Sequence, residues 1–220
     1  MIRAQFTMSG DAVWISHLDL MRVLQRAFRR GGMMLKHSQG FTPHPHLSIA
    51  MPLSVGVASE YELMDFDLAE EDTTPVDAIC EKLNASLPDG VRVLSCYENG
   101  RKLKELQYLK AELTLEYDNG TPDGLKERLQ NLFARPSIPV EKHSKNGVTE
   151  TDIAPMLRAV TVTQQDADTV LLTCTVSAQN PTLNPLLLIE AIRRYLPEDL
   201  PDFFKCRRLC LYDAQMEIFR

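Results

Sequence analysis

What this sequence lacks narrows the field first. No window comes near the roughly 20 apolar residues of a membrane-spanning helix. The opening MIRAQFTMSGDAVWISHLDL alternates polar and apolar residues and lacks the unbroken apolar stretch of a secretory signal, so no membrane association is expected. There are five cysteines, an odd number dispersed through 220 residues; this is no disulfide framework and points to a reducing, cytoplasmic setting. No glycine spacing matches a P-loop or a dinucleotide fold, so nucleotide binding has no support and no cofactor is expected. Positive charge is in the minority, 24 Lys+Arg against 30 Asp+Glu, for a net charge of −6 at pH 7. On the scale of the whole chain that opposes a polyanionic partner. What is abundant is apolar content: 44% hydrophobic residues at this length supply a core for a soluble globular protein.

The charge is unevenly placed. Residues 1–60 hold six Lys+Arg against three Asp+Glu, together with four of the five histidines, whereas residues 61–100 hold two against ten. A binding footprint is a local property, so the amino-terminal part qualifies as basic despite the global deficit.

Alternation predicts a first strand over residues 2–8. Ser16 and Asp19 stand at capping spacing ahead of a helix that runs to about Arg30, with Leu20, Met21, Leu24, Ala27 and Phe28 at the 3.6 period and Gly31-Gly32 as the stop. After the His/Pro-rich stretch, read as an extended segment, residues 60–68 (EYELMDFDL) alternate as a strand does. Pro75 opens a second helix over VDAICEKLNASL, and Pro88-Asp89-Gly90 turns the chain into a strand from Val91. The same order returns with less regularity: a strand over 109–117, a helix over 124–134, a hairpin of 160–162 with 170–176, a helix over 186–195 and a strand over 206–212. The expected fold is therefore α+β, with two ferredoxin-like (βαββαβ) units in tandem from an old duplication. The first spans residues 1–100 and the second 101–220, joined through the polar stretch at 98–106.

Chemistry concentrates in the first unit. Arg22, Arg26, Arg29 and Arg30 fall at i, i+4, i+7 and i+8, one stripe opposite the apolar face of the first helix. A charge run is often only a solvated face. Here Asp19 is the one acidic residue on that helix, so four arginines lack local compensation and call for an anionic partner. The acidic strand EYELMDFDL is the internal candidate; RNA phosphate or an acidic protein is the external one. Residues 37–60, HSQGFTPHPHLSIAMPLSVGVASE, follow with three histidines, three prolines and no lysine or arginine. Pro43 and Pro45 push their predecessors toward extended backbone, so residues 41–46 read as a stiff arm with His44 and His46 projecting to one side. That geometry suits a metal grip completed by His17 or His37, an acid/base pair, or a recognition contact, the last favoured. Candidate catalytic residues are thus His17, His44 and His46. Candidate partner-binding residues are Arg22, Arg26, Arg29, Arg30, Ser38, Gln39, Gly40, Phe41, His44 and His46, with no metal assigned. Gly40 and Gly56 read as turn positions or as backbone open to an anion. His143 reads as a surface residue.

The runs SHLDLMR, RAFRRGG, SQGFTPHP and MPLSVGVASEYE resemble the bacterial radical-SAM-linked protein family, a domain of unknown function found alone or fused to the carboxyl end of cobalamin-binding-type radical SAM proteins. The likeness is close over about the first 100 residues and general beyond them. It implies an accessory beside a radical SAM enzyme, since stand-alone members are typically encoded near that enzyme, an RNase E/G-type ribonuclease and ribosomal proteins. Radical SAM chemistry itself needs C-x3-C-x2-C. Cys206 and Cys210 have the first spacing, but Asp213 stands where the third cysteine belongs, and both thiols read as small apolar fillers in a strand. Two functions follow as expectations. One is a cytoplasmic, non-catalytic adaptor that acts with a radical SAM protein in RNA or ribosome-related modification. The alternative is an RNA-processing, endonuclease-like enzyme using histidine acid/base chemistry, an analogy of architecture.

Overall fold

The chain is an α+β protein that divides into two compact units, Met1–Leu103 with Arg220, and Lys104–Phe219. The computed structural model describes residues 1–144 and 147–220, with His143 and Ser144 described by backbone alone, so the expectation for the His143 side chain lies outside the described residues.

In the first unit the elements run β1 (Ile2–Met8), α1 (His17–Arg30), β2 (Leu47–Ile49), β3 (Val57–Phe66), α2 (Val76–Asn84) and β4 (Val91–Glu98). The strands lie in the order β4-β1-β3-β2, and each neighbouring pair is antiparallel. The helices turn their apolar stripes to this sheet: Leu20, Leu24, Ala27 and Phe28 from α1, and Ile79 and Leu83 from α2, join Phe6, Met64, Phe66 and Val93 in one core. Phe28 and Phe66 meet edge to face with ring centroids 4.7 Å apart, a favoured aromatic geometry. Asn84 fixes α2 to β4 by donating to the Val93 carbonyl and accepting the Val93 N–H, both at 2.8 Å. The turn before β4 needs glycine: Gly90 has φ +85, and a Cβ there would lie 2.2 Å from the Ser9 carbonyl oxygen.

The second unit runs β5 (Tyr108–Glu116), α3 (Leu125–Phe133), β6 (Pro139–Ser144), β7 (Gly147–Asp152), β8 (Leu157–Gln164), β9 (Thr169–Ser177), α4 (Leu187–Tyr195) and β10 (Phe203–Tyr212). Its sheet order is β10-β5-β9-β8, again antiparallel throughout. If the β6–β7 hairpin is set aside, this is the element order and sheet order of the first unit. That hairpin explains why the second half reads as irregular. Periodicity gave no sign of it, because β7 is largely exposed and polar, while β6 is held through α4: Arg194 and Tyr195 both donate to the Pro139 carbonyl at 3.0 Å.

Two expected elements differ in kind. β3 starts at Val57, and instead of alternating in burial its residues from Tyr61 to Phe66 are all buried, Glu62 and Asp65 among them. The arm at 41–46 is not a free extended strand but the tip and return limb of a hairpin, as set out below. Among the described residues, no helix is long and apolar enough to cross a membrane.

Candidate anion-binding groove

The site grows from the amino end of α1. The Ser16 hydroxyl accepts the Asp19 N–H at 3.2 Å and donates to the Asp19 carboxylate at 2.7 Å, which closes the first turn. The Ser16 hydroxyl and the Arg22 guanidinium hold the Asp19 carboxyl below its usual range. Arg22 reaches back to Asp19 at 2.8 Å. One turn further along, compensation ends: Arg26, Arg29 and Arg30 are exposed and, among the described residues, make no ion pair. The internal mate expected for them is engaged elsewhere. Asp65 accepts from Nε and Nη2 of buried Arg3 at 2.6 and 2.8 Å, and Glu62 accepts the Ser59 hydroxyl at 2.7 Å. Asp67 faces the Met1 amino group at 3.0 Å and His46 Nδ1 at 3.2 Å, contacts that keep its carboxyl below the usual range, the amino group most strongly.

The chain then leaves α1 through Gly31, where a side chain would press within 3.2 Å of the Lys82 carbonyl on α2. Residues 34–36 lie along the segment after β3: Lys36 N–H donates to the Asp67 carbonyl and Ala69 N–H to the Met34 carbonyl, each at 2.8 Å. Residues 36–38 next pair with 44–46. His46 N–H donates to the Lys36 carbonyl at 2.7 Å, Ser38 N–H to the His44 carbonyl at 2.8 Å, and His44 N–H to Ser38 Oγ at 3.0 Å. Gln39, Gly40, Phe41, Thr42 and Pro43 form the exposed tip, with Phe41 wholly in solvent. The expected stiff arm is corrected by this pairing: the two prolines still bias the backbone, but the ladder to residues 36–38 bends it into a hairpin.

Between α1 and this hairpin lies an open groove of about 730 Å³. Arg22, Arg26 and Arg29 form one wall, Met33, Met34, Leu35 and Phe28 supply an apolar floor, and His37 and Pro45 close the far side. Of the residues singled out from sequence, three arginines meet here. Arg30 is exposed but does not line the groove, and Ser38, Gln39, Gly40, Phe41 and His44 belong to the hairpin's far end. His46 lines a separate recess with Asp65 and Asp67. His17 stands apart in a cavity with room for about one water, beside Ser54 and Glu62, its Nδ1 buried and without a partner. The four histidines therefore do not converge, and among the described residues no group of three His, Cys, Asp or Glu side chains is placed to hold a metal ion. Gly56 is a packing position as well as a turn, since its φ is +85 and the Trp14 ring would meet a Cβ at 3.1 Å. The groove's floor was missed by sequence reasoning, although Met33-Met34-Leu35 is an apolar run directly behind a helix stop.

Cys206 and Cys210 are buried in β10, and burial pushes the Cys206 thiol up to about 12 and the Cys210 thiol upward as well. Asp213 accepts the N–H groups of Gln215 and Glu217 at 2.8 and 2.9 Å and so shapes the turn behind them. Both side chains pack within the core of the second unit.

A family described as an uncharacterized protein conserved in bacteria (DUF2344) matches residues 1–185, which take in the first unit apart from Arg220 and most of the second. The chain belongs to this family. The match extends well past the first 100 residues and takes in every residue of the groove. No curated protein matches this DUF2344 chain. Among solved structures, a chain of a Cbf5-Nop10-Gar1 complex is 9% identical with a TM-score of 0.48, over 94% of this chain and 47% of that one. A chain of the archaeal box H/ACA sRNP Nop10-Cbf5 complex is 9% identical with a TM-score of 0.44, over 94% and 46%. This chain thus spans about half the length of those solved chains. An unknown protein from Galdieria sulphuraria is 12% identical with a TM-score of 0.26, over 94% of this chain and 96% of that one.

Proposed function

We propose that this DUF2344 chain is an accessory protein that acts beside a radical SAM enzyme and holds RNA in the groove between α1 and the hairpin. The observation that carries the reading is the two guanidiniums without an ion pair on an open wall, Arg26 and Arg29, with Arg22 beside them held only by exposed Asp19. Like charges at helical spacing repel, and a phosphate relieves that repulsion while matching the planar fork of arginine. From Arg22 to Arg30 the stripe is about 12 Å long at 1.5 Å per residue, enough for a short run of backbone phosphates. The apolar floor suits the faces of unpaired bases, and the Phe41 ring, wholly in solvent at the hairpin tip, offers a surface on which a base can stack. Arg29 and Arg30 in the last turn also favour the helix dipole, so α1 tolerates the stripe with no partner bound. The radical SAM partner rests on the family resemblance. The repeated element and sheet order of the two units supports the further reading that they are tandem ferredoxin-like units from one duplication.

Binding of short single-stranded ribosomal RNA fragments, measured against salt, tests the groove. Arg26→Ala with Arg29→Ala should weaken binding and lower the slope of log K against log salt by about 1.4, near 0.7 for each lost phosphate contact, with the melting midpoint unchanged. RNA binding untouched by the double substitution, or a variant that only slows association with an acidic protein, removes RNA from the groove. Co-purification from native cells tests the other half: recovery without any radical SAM protein ends the accessory role.

A further inference from the structure

Cys80 on α2 and Cys96 on β4 hold their sulfurs 3.3 Å apart. Both are half-buried, whereas Cys174, Cys206 and Cys210 are buried. Their juxtaposition is not accidental to a mobile loop. The two-way amide contact of Asn84 with Val93 locks α2 onto β4 one helical turn after Cys80 and three residues before Cys96. A disulfide needs its sulfurs about 2.05 Å apart, so side-chain rotation that closes roughly 1.2 Å suffices while the helix and strand stay in register.

We propose that Cys80 and Cys96 are a dithiol that closes reversibly to a disulfide by exchange with a low-molecular-weight disulfide of the glutathione type. The Cys80 thiolate attacks one sulfur of the small disulfide; that S–S bond breaks, and the departing thiolate takes up the proton Cys80 released. Cys96 then attacks the Cys80 sulfur, the mixed bond breaks, and the second small thiol leaves with the Cys96 proton. Two protein thiols are oxidised and one small disulfide is reduced to two thiols; excess small thiol reverses both steps. Burial, reinforced by the neighbouring Cys80 thiol, raises the Cys96 thiol above its ordinary value, so the exchange starts from the small fraction of thiolate and is driven by the closeness of the two sulfurs. The bond ties α2 to an outer strand of the first unit's sheet, across the turn that carries Gly90. This site is independent of the proposed RNA groove.

The full chain equilibrated in glutathione buffers of graded oxidised-to-reduced ratio, quenched in acid, alkylated and mapped by peptide mass, provides the test. Expected is a loss of two alkylatable thiols with a linked Cys80–Cys96 peptide, growing with the oxidised share and disappearing when reduced glutathione is restored. The oxidised chain should also melt higher, by roughly 5 °C or more for a closed loop of this size. In Cys96→Ser the reaction should stop at a glutathione adduct on Cys80, and in Cys80→Ser no intramolecular link should form. A stable glutathione adduct on Cys80 of the unsubstituted chain, a link involving another cysteine, or an unchanged thiol count at every ratio overturns the proposal.

Discussion

Arginine plays two opposed parts in the first unit, and burial separates them. Arg3 is 1% exposed and Asp65 6% exposed, so their paired hydrogen bonds form where water cannot replace them. Removing one partner leaves a charge in the interior. Asp65→Ala should destabilise the protein by about 3 kcal/mol or more, read as a fall in the urea midpoint. Arg26, by contrast, stands in solvent, and Arg26→Ala should change stability by less than about 0.5 kcal/mol; equal losses for the two would show that the stripe is structural. Nothing in residue type distinguishes Arg3 from Arg26 along the chain. Their difference arises because β1 pairs with β3 and sets Arg3 opposite Asp65.

At the level of elements, the capped helix α1 was fully legible, because its cap, its apolar period and its stop are all local signals. The hairpin over residues 34–47 was not, because its ladder joins a histidine-rich limb to residues eight positions earlier and to the end of β3. Asp72 anchors its base by accepting Met34 N–H at 2.6 Å and Thr74 N–H at 2.9 Å. Partial burial pushes the Asp72 carboxyl upward, but these N–H donors more than offset it, and the net displacement is below the ordinary value of 3.8. A depressed folded-state value means that the contribution is complete above the unfolded value and is lost as pH falls through the lower folded one. The protection of the Met34 amide, its exchange rate relative to the intrinsic rate at each pH, should therefore fall on acidification below about pH 4, where an ordinary Asp begins to protonate. Asp72→Asn should exchange faster at neutral pH and lose most of that acid step. An unchanged Met34 rate in the variant would detach Asp72 from the hairpin.

For the whole molecule, a net charge of −6 and a basic groove act over different ranges. Beyond a Debye length of about 8 Å at physiological salt the global deficit is screened, while contacts at the groove wall are not. If three groove arginines each neutralise one phosphate, affinity for single-stranded RNA should fall about 20-fold between 50 and 200 mM salt, from a slope near −2. A salt-independent affinity would place binding outside the arginine wall. The acidic surplus suggests at this scale a mate for the stripe within β3, but Glu62 and Asp65 are sealed and partnered there.

The α+β class, the order of strands and helices apart from the β6–β7 hairpin, the capped basic helix and the crowding of arginine and histidine into the first unit could all be read along the chain. Those features rest on periodicity, turn residues and composition, which are properties of neighbours in sequence. The assembled fold was needed to learn which charges cancel, that His17, His37, His44 and His46 stay apart, that the apolar run after α1 becomes a groove floor, and that Cys80 meets Cys96. Each depends on strand register and on helix-to-sheet packing between distant segments, and no local pattern encodes the distance between two side chains that the fold alone brings together.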